Sequence, residues 1–501
     1  MRSSKVIYNI ITSLISQIIV IIYGFVVPKL IISNFGSETN GLITSITQFL
    51  AYISLLESGI GPVIKSTLYN PIAKKDKKSI EKILKSAETF FRIIAMIFLI
   101  YIFVFSIIAP LTIYNNFELG YTIPLIIIIS ISTFAEYFFG MTYSLYIQAN
   151  QKSYVISLVQ SITYIINIIA IIILVKCNSS IHLIKLLSGI IFVIRPIIQN
   201  IYVRKKYNIN LKNVKNDYKL KQKWDGLSQH IAAVIHGNTD VAILTFFCNL
   251  SEVSVYSVYC LVVKGIKTLV VSFTNSIEST FGDMIAKQEK DNLNNKFRLY
   301  ETIFLNIAAI IFSCAMVLIV PFIKIYTLGI TDTNYIRFVF GYLIVFSEYV
   351  YILRLPYISL TYAAGCFKET KRGAWIESIS NIIISILLVK KMGIIGVTIG
   401  TLFAMIIRTI EFVYYSNKYI LEKNILISFK KILIALSQTI IIIIIYNFLP
   451  LVEYTNYISW IMNAIIVFIV SSILVIFMGL IIYKKEYREI VQILRKIIKK
   501  R

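Results

Sequence analysis

Uninterrupted runs of about 18 to 26 apolar residues recur along the whole chain, and they leave few folds open. At a rise of about 1.5 Å per residue, such a run spans a hydrocarbon core of about 30 Å. With 57% hydrophobic and only 15% charged residues in 501, the composition excludes an ordinary soluble domain. The runs are too many for a single anchor, so the chain reads as an all-α polytopic membrane protein.

Pro, Gly, Asn and charge clusters divide the chain into about fourteen candidate spans. They start near Ile7, Leu42, Phe90, Ile123, Tyr154, His182, Gly226, Val253, Phe297, Arg337, Gly373, Met392, Ile432 and Ser459. The run after Arg2 and Lys5 is too long for a signal peptide and lacks a small-x-small cleavage site, so it is read as an uncleaved first helix. The net charge of +25 is spread between the apolar runs, not gathered in a stripe that could track phosphates, which argues against nucleic acid. Cys177, Cys248, Cys260, Cys314 and Cys366 are scattered without metal-ligand spacing and are expected to be buried thiols. With Met1 placed inside, about 37 Lys and Arg fall in cytoplasmic segments and about 3 (Lys324, Lys390, Lys391) in external loops. That asymmetry puts both termini in the cytoplasm.

An internal repeat adds architecture. At an offset of 213, Ile72-Ala73-Lys74, Lys77, Glu88-Thr89 and Phe91 are matched by Ile285-Ala286-Lys287, Lys290, Glu301-Thr302 and Phe304. At an offset of 214, Asn167 and Leu174-Val175-Lys176 are matched by Asn381 and Leu388-Val389-Lys390. Six spans fit one period, and an even number keeps both copies in one orientation, as in transporters built from parallel repeats. The expected domains are six-helix lobes at 1–225 and 226–428, two further transmembrane helices at 429–483, and a basic amphipathic cytoplasmic tail at 484–501. Ile490, Val491, Leu494, Ile497 and Ile498 on the tail, and Ile80, Ile83 and Leu84 after the second span, form apolar faces that read as interfacial.

Ionised side chains inside spans cost about 2.5–3.5 kcal/mol each near the bilayer centre, so those present are candidates for function. The basic set is Lys29, Lys185, Arg195, Lys264, Lys267, Arg354 and Arg408; the acidic set is Glu57, Glu136, Asp240, Glu278, Glu348, Glu377 and Glu411. Arg408 and Glu411 read as a local pair, Lys185 as able to snorkel, and Glu278 as a helix-end residue. Lys29, Arg195 and Arg354 sit beside Pro28, Pro196 and Pro356, where a bent helix lines a cavity. With Lys264 and Lys267, three apart on one face, they are expected to line a cationic cavity for an anion, since guanidinium and ammonium groups suit phosphate oxygens. His236 and Asp240 are four apart, as are Glu377 and Asn381, and Thr398 and Thr401 add hydroxyls. Such oxygens can hold Na⁺ or pass a proton, or simply glue helices together.

On Gly41–Leu50, Leu56–Gly61, Leu68–Pro71, Asn238–Asp240, Val253–Tyr259, Tyr326–Asp332, Ala363–Gly365 and Gly396–Thr401, nearly the whole chain resembles a known family. This is the polysaccharide transporter branch of the multidrug, oligosaccharidyl-lipid and polysaccharide exporter superfamily. The resemblance implies two six-helix lobes around a cationic cavity in a bacterial cytoplasmic membrane. It further implies alternating access that moves undecaprenyl-pyrophosphate-linked oligosaccharide from the inner to the outer leaflet. The last two helices would guide the lipid tail, and glycan polymerase and glycosyltransferases would be partners. In the related peptidoglycan-precursor flippases a sodium site lies between helices seven, eleven and twelve; the matching oxygens here are Asp240, Glu377, Asn381 and Thr398. Acid and amide are exchanged at Glu377 and Asn381, so Na⁺ and H⁺ both stay open as coupling ions. No other cofactor is expected.

A multidrug antiporter of the same superfamily is the first alternative, but the cationic excess disfavours cationic drugs. A membrane-embedded glycan polymerase or glycosyltransferase would need catalytic acids or arginines in external loops. The longest, 321–336, offers only Lys324, Asp332 and polar residues, and no P-loop is present, so an enzyme is not expected. The orientation is directly testable: alkaline phosphatase fused after Arg501 should be inactive because it stays in the cytoplasm. Strong phosphatase activity would invert the topology.

Overall fold

The apolar runs fold as helices because lipid offers the backbone no hydrogen-bond partners of its own. The computed structural model describes residues 2–57, 59–114, 116–211, 214–216, 218, 224–272, 274–449 and 451–499, and among these there is no strand. Among the described residues, twelve helices, from Tyr8–Phe35 to Tyr457–Ile482, are long and apolar enough to cross a membrane, so the chain is a multi-pass membrane protein. The sequence pattern led to an expectation of about fourteen. The second and seventh candidates are helical, at Ser37–Ala51 and Trp224–Phe247, but are not among the twelve. They pack on each other and carry much of their unit's polar contact. Ser45 Oγ lies 2.8 Å from both Tyr114 Oη and Thr245 Oγ1, Gln48 bonds Asn238, and Asn40 Nδ2 donates to Ser254 Oγ at 2.8 Å. Gly41 allows this approach, because a Cβ there would run into the Leu250 backbone.

Ile100, Phe103, Leu387, Leu433 and Ile458 are exposed on the outside of their spans, where lipid tails are the matching solvent. Inside, serine, threonine and asparagine hold helices together. Ser188 Oγ donates to Asn167 Oδ1 at 2.9 Å, and Ser385 Oγ donates to Asn381 Oδ1 at 2.9 Å. Gly400 brings its helix onto the Lys371–Met392 helix so closely that an added Cβ would stand 2.8 Å from the Ser385 amide nitrogen.

The chain divides into two units, 1–254 and 255–501. The packing boundary thus falls beyond the expected lobe boundary at 225/226, because the Trp224–Phe247 helix packs with Ser37–Ala51. Each unit repeats one set of neighbours. Ile181–Tyr207 packs on Leu119–Ala135 and Ser153–Lys176; its counterpart Ile394–Tyr415 packs on Phe338–Leu353 and Lys371–Met392. Backbone irregularity repeats as well: a π-helical turn at Glu136–Gly140 in the first unit corresponds, 214 residues on, to the interruption at Arg354 between Phe338–Leu353 and Leu355–Ala363. The last two spans, Ile425–Tyr446 and Tyr457–Ile482, both pack on Lys290–Tyr326.

The interfacial reading of Ile80, Ile83 and Leu84 is corrected. These residues belong to one 36-residue helix, Lys77–Thr112, and are 7%, 2% and 0% exposed, so they pack into the first unit. Asp76 caps that helix, accepting from the Ser79 amide at 3.1 Å and from its hydroxyl at 2.6 Å, which holds the Asp76 carboxyl below its ordinary pKa. On the tail helix Lys484–Lys499, Val491 is exposed, whereas the side chains of Leu494, Ile497 and Ile498 lie outside the described residues. That helix is held by Arg298, whose Nη2 reaches Glu489 at 2.7 Å. The cysteines are free thiols, but only Cys260 is buried and Cys177 is exposed at a helix end, against the expectation of five buried thiols.

One buried ion pair ties the added helices to the repeat. Lys431 Nζ sits 2.7 Å from Glu301 Oε2 and 2.9 Å from Thr302 Oγ1, while Tyr357 Oη and Ser428 Oγ donate to Glu301 Oε1 at 2.7 and 2.5 Å. Removing one partner of such a pair strands the other charge. Glu301→Ala should therefore destabilise the protein by about 3 kcal/mol or more, and adding Lys431→Met should restore most of the loss. Thermal unfolding of the two variants in nanodiscs measures this; equal unfolding temperatures for wild type and Glu301→Ala would remove the pair from the stability argument.

Candidate functional site

Charges buried in the spans must be paired, hydrogen-bonded or turned to a wet space. The second unit meets this demand by pairing. Arg354, 4% exposed at the helix interruption, donates from Nη1 to Glu377 Oε1 at 2.7 Å. The other Glu377 oxygen faces Arg408 Nε at 3.6 Å, and Arg408 also bonds Glu411 and donates to the Thr370 carbonyl at 2.7 Å. Two arginines and two carboxylates thus form a continuous chain, with Tyr351 and Phe412 rings stacked on the guanidinium groups at 4.6 and 4.3 Å. Arg408 and Glu411 pair locally as expected, yet the pair is one end of this larger network. Lys267 is also partnered, with Glu348 at 3.0 Å and the Tyr351 ring at 3.7 Å. Lys264 is exposed.

Of the other proposed cation-coupling residues, Asn381 and Thr398 lie in the second unit and Asp240, 7% exposed, lies in the first. Asn381 Oδ1 accepts from Ser385 and, at 3.4 Å, from Thr401; Thr398 Oγ1 donates to the Ile394 carbonyl at 2.8 Å. Glu377 is engaged by Arg354 and Arg408, so a cation binding there would have to displace guanidinium groups. No group of three or more His, Cys, Asp or Glu side chains comes together among the described residues. The His236 side chain lies outside them.

The first unit treats its cations differently. Lys29, half-buried, lies one residue beyond Pro28 within the first helix. Arg195 is sandwiched by the Tyr164 and Phe192 rings, each 4.1 Å from its guanidinium carbon, and Nε donates to Thr163 Oγ1 at 2.6 Å. Its Nη2 is buried without a hydrogen-bond partner. Arg195 lines a cavity of about 190 Å³ together with Glu136, Gln160, Gln199, Ser132 and Ser144. An adjoining cavity of about 220 Å³ shares Ser132 and Phe192 and is lined by Lys185, which therefore faces an internal space and not only a membrane interface. Of these residues the sequence singled out the charges; Gln160 and Gln199 carry no signal in an apolar run beyond their polarity.

These environments separate two cations that the sequence treats alike. Arg354→Ala leaves a buried carboxylate short of one partner and should cost about 3 kcal/mol, whereas Lys264→Ala, at an exposed position, should stay within about 0.5 kcal/mol of wild type. Thermal unfolding of the purified variants checks the order; an unaltered Arg354→Ala protein would show that the Arg354–Glu377 pair is not structural.

No protein-family model matches the sequence, and no curated protein matches it. Solved structures do. A lipid II flippase, MurJ, in an inward closed conformation superposes with a TM-score of 0.68 at 19% identity, covering 93% of this chain and 98% of that one. An inward-facing multidrug resistance MATE family transporter of the MOP superfamily gives 0.61 at 11% identity, covering 79% and 93%. A MOP superfamily transporter from Pyrococcus furiosus, described as having a binding pocket of reverse polarity, gives 0.57 at 13% identity, covering 84% and 96%. The chain therefore has the polytopic helical fold that a lipid flippase shares with multidrug transporters of the MOP superfamily.

Proposed function

We propose that this protein is a flippase for a lipid-linked, pyrophosphate-bearing glycan, an undecaprenyl-pyrophosphate oligosaccharide carried from the inner to the outer leaflet of a bacterial cytoplasmic membrane. The observation that supports this reading is the charge of its spans. Among the described residues Lys185, Arg195 and Lys264 lie in spans without a carboxylate at ion-pair distance, on a fold shared with a lipid II flippase. A pyrophosphate leaving water needs fixed charges to replace part of its hydration. Guanidinium and ammonium groups in a wet cavity do so while screening keeps each contact reversible. In this reading Lys29, Arg195, Lys264 and Lys267 meet the cargo, and Arg354 holds the second unit together through Glu377. Asp240 is the acid of an Na⁺- or H⁺-coupling site. Glycosyltransferases supply the cargo, a glycan polymerase consumes it, and the protein itself is no enzyme.

The alternative, a multidrug exporter, has the MATE structures on its side, and one assay separates the two. In proteoliposomes the protein should translocate a fluorescent undecaprenyl-pyrophosphate glycan and leave ethidium unmoved. Lys264→Ala should slow translocation about tenfold at matched protein level, the loss expected for one charge-assisted contact. Ethidium transport without glycan movement would overturn the proposal.

A further inference from the structure

The two units carry the same arginine in different company. Arg195 and Arg408 are related by the offset of 213, and their neighbours Thr163 and Glu377 by 214. In the second unit Glu377, Glu411 and the Thr370 carbonyl surround the guanidinium. In the first unit a threonine replaces the carboxylate, so Arg195 keeps its stacking rings and one hydrogen bond, and Nη2 has no acceptor. An unpartnered buried N–H on a charged group is costly, and a cavity beside it means that something other than protein supplies the acceptor. Lys185, ten residues earlier on the same helix, corresponds to Thr398 in the second unit. The first unit therefore lines its cavities with cations at positions where the second unit has a threonine and a carboxylate-paired arginine.

Glu136 opens onto the Arg195 cavity from the first residue of the π-helical turn, a backbone irregularity common at functional sites. Among the described residues it makes no hydrogen bond or ion pair, and it shares the cavity lining with Arg195. Among the other charged groups on the elements packed around this turn, Lys185 lines the adjoining cavity without a carboxylate at ion-pair distance, and Glu88, Arg92 and Arg204 are engaged. Glu88 pairs with Arg92 at 2.9 Å, Arg204 donates to Tyr143 Oη at 2.9 Å, and Glu57 accepts from Tyr137 Oη at 3.0 Å. Tyr121 and Tyr146 lie on neighbouring segments.

We infer that the first-unit cavity is an anion subsite in which Arg195 binds a phosphate group of the cargo, and that Glu136 opposes that binding until it takes up a proton. The inference rests on the anionic cargo of the proposed function and adds to it a location and a proton link. The linkage has one sign. An anion beside Glu136 favours its protonated form, so anion binding carries a proton with it and strengthens as pH falls.

Binding of dibutyl pyrophosphate to the purified full-length protein in nanodiscs tests this by calorimetry, since the charge of that diester stays fixed across neutral pH. Wild type should bind more tightly as pH falls, by up to about tenfold per pH unit. Glu136→Gln should bind about tenfold more tightly at neutral pH and lose the pH dependence. Arg195→Met should lose binding, and Arg195→Lys should keep part of it, which guards against a folding defect. Absent binding by wild type, or a Glu136→Gln variant that binds no better, overturns the subsite. Parallel glycan translocation separates the two readings: wild type that translocates but fails the binding test keeps its function and loses this site. Wild type that passes the binding test but moves no glycan keeps the site and loses the function.

Discussion

A charge in a medium that cannot hydrate it must be given partners, and this demand organises the interior of both units. The outer surfaces of the spans are Ile, Leu and Phe, which lipid accommodates without structure. Inside, the second unit spends its carboxylates on its arginines. Glu377 sits between Arg354 and Arg408, and Glu301 gathers Lys431, Tyr357 and Ser428. Such networks contribute little net energy over an apolar core, but losing one member strands the rest, so they fix the geometry of the helices that carry them.

The two units share one frame of helix neighbours, and different residues at equivalent places give them different chemistry. Glu88 and Glu301 occupy matching positions near the start of long helices; one is served by Lys85 and Arg92, the other by Lys431 from an added span. The pair Asn167–Ser188 is repeated as Asn381–Thr401. The change from Thr163 to Glu377 has the largest consequence, because it decides whether the nearby arginine is a structural clasp or a cation facing a cavity. The helix irregularities at Glu136–Gly140 and Arg354 lie at corresponding points, and there too one copy faces a cavity and the other is locked.

The all-α membrane fold was legible in the apolar runs, because their length matches a bilayer and their backbone has no other way to be satisfied. The repeat was legible in two blocks of identity, and the internal neighbours of the two units agree with it. The number of apolar spans was less legible. Ser37–Ala51 and Trp224–Phe247 look like spans by position, yet their polar residues bond one another and their neighbours within the first unit. Ile80, Ile83 and Leu84 have the periodicity of an interfacial face, and periodicity alone does not say whether lipid or protein covers it.

The sequence by itself determined which side chains would be ionised inside the spans and that prolines would bend the helices beside three of them. Only the tertiary structure decided which of those charges are neutralised. Arg354, Arg408 and Arg195 all read as intramembrane guanidinium groups; Glu411, three residues on, gives Arg408 one partner that Arg195 lacks, but the rest of the Arg354–Glu377–Arg408 network is not local in the chain. The remaining difference lies in a residue on another helix, Thr163 in one unit and Glu377 in the other, brought within bonding distance by packing. Electrostatic fate in a low-dielectric interior depends on neighbours a few ångströms away in space, and those neighbours are distant in the chain.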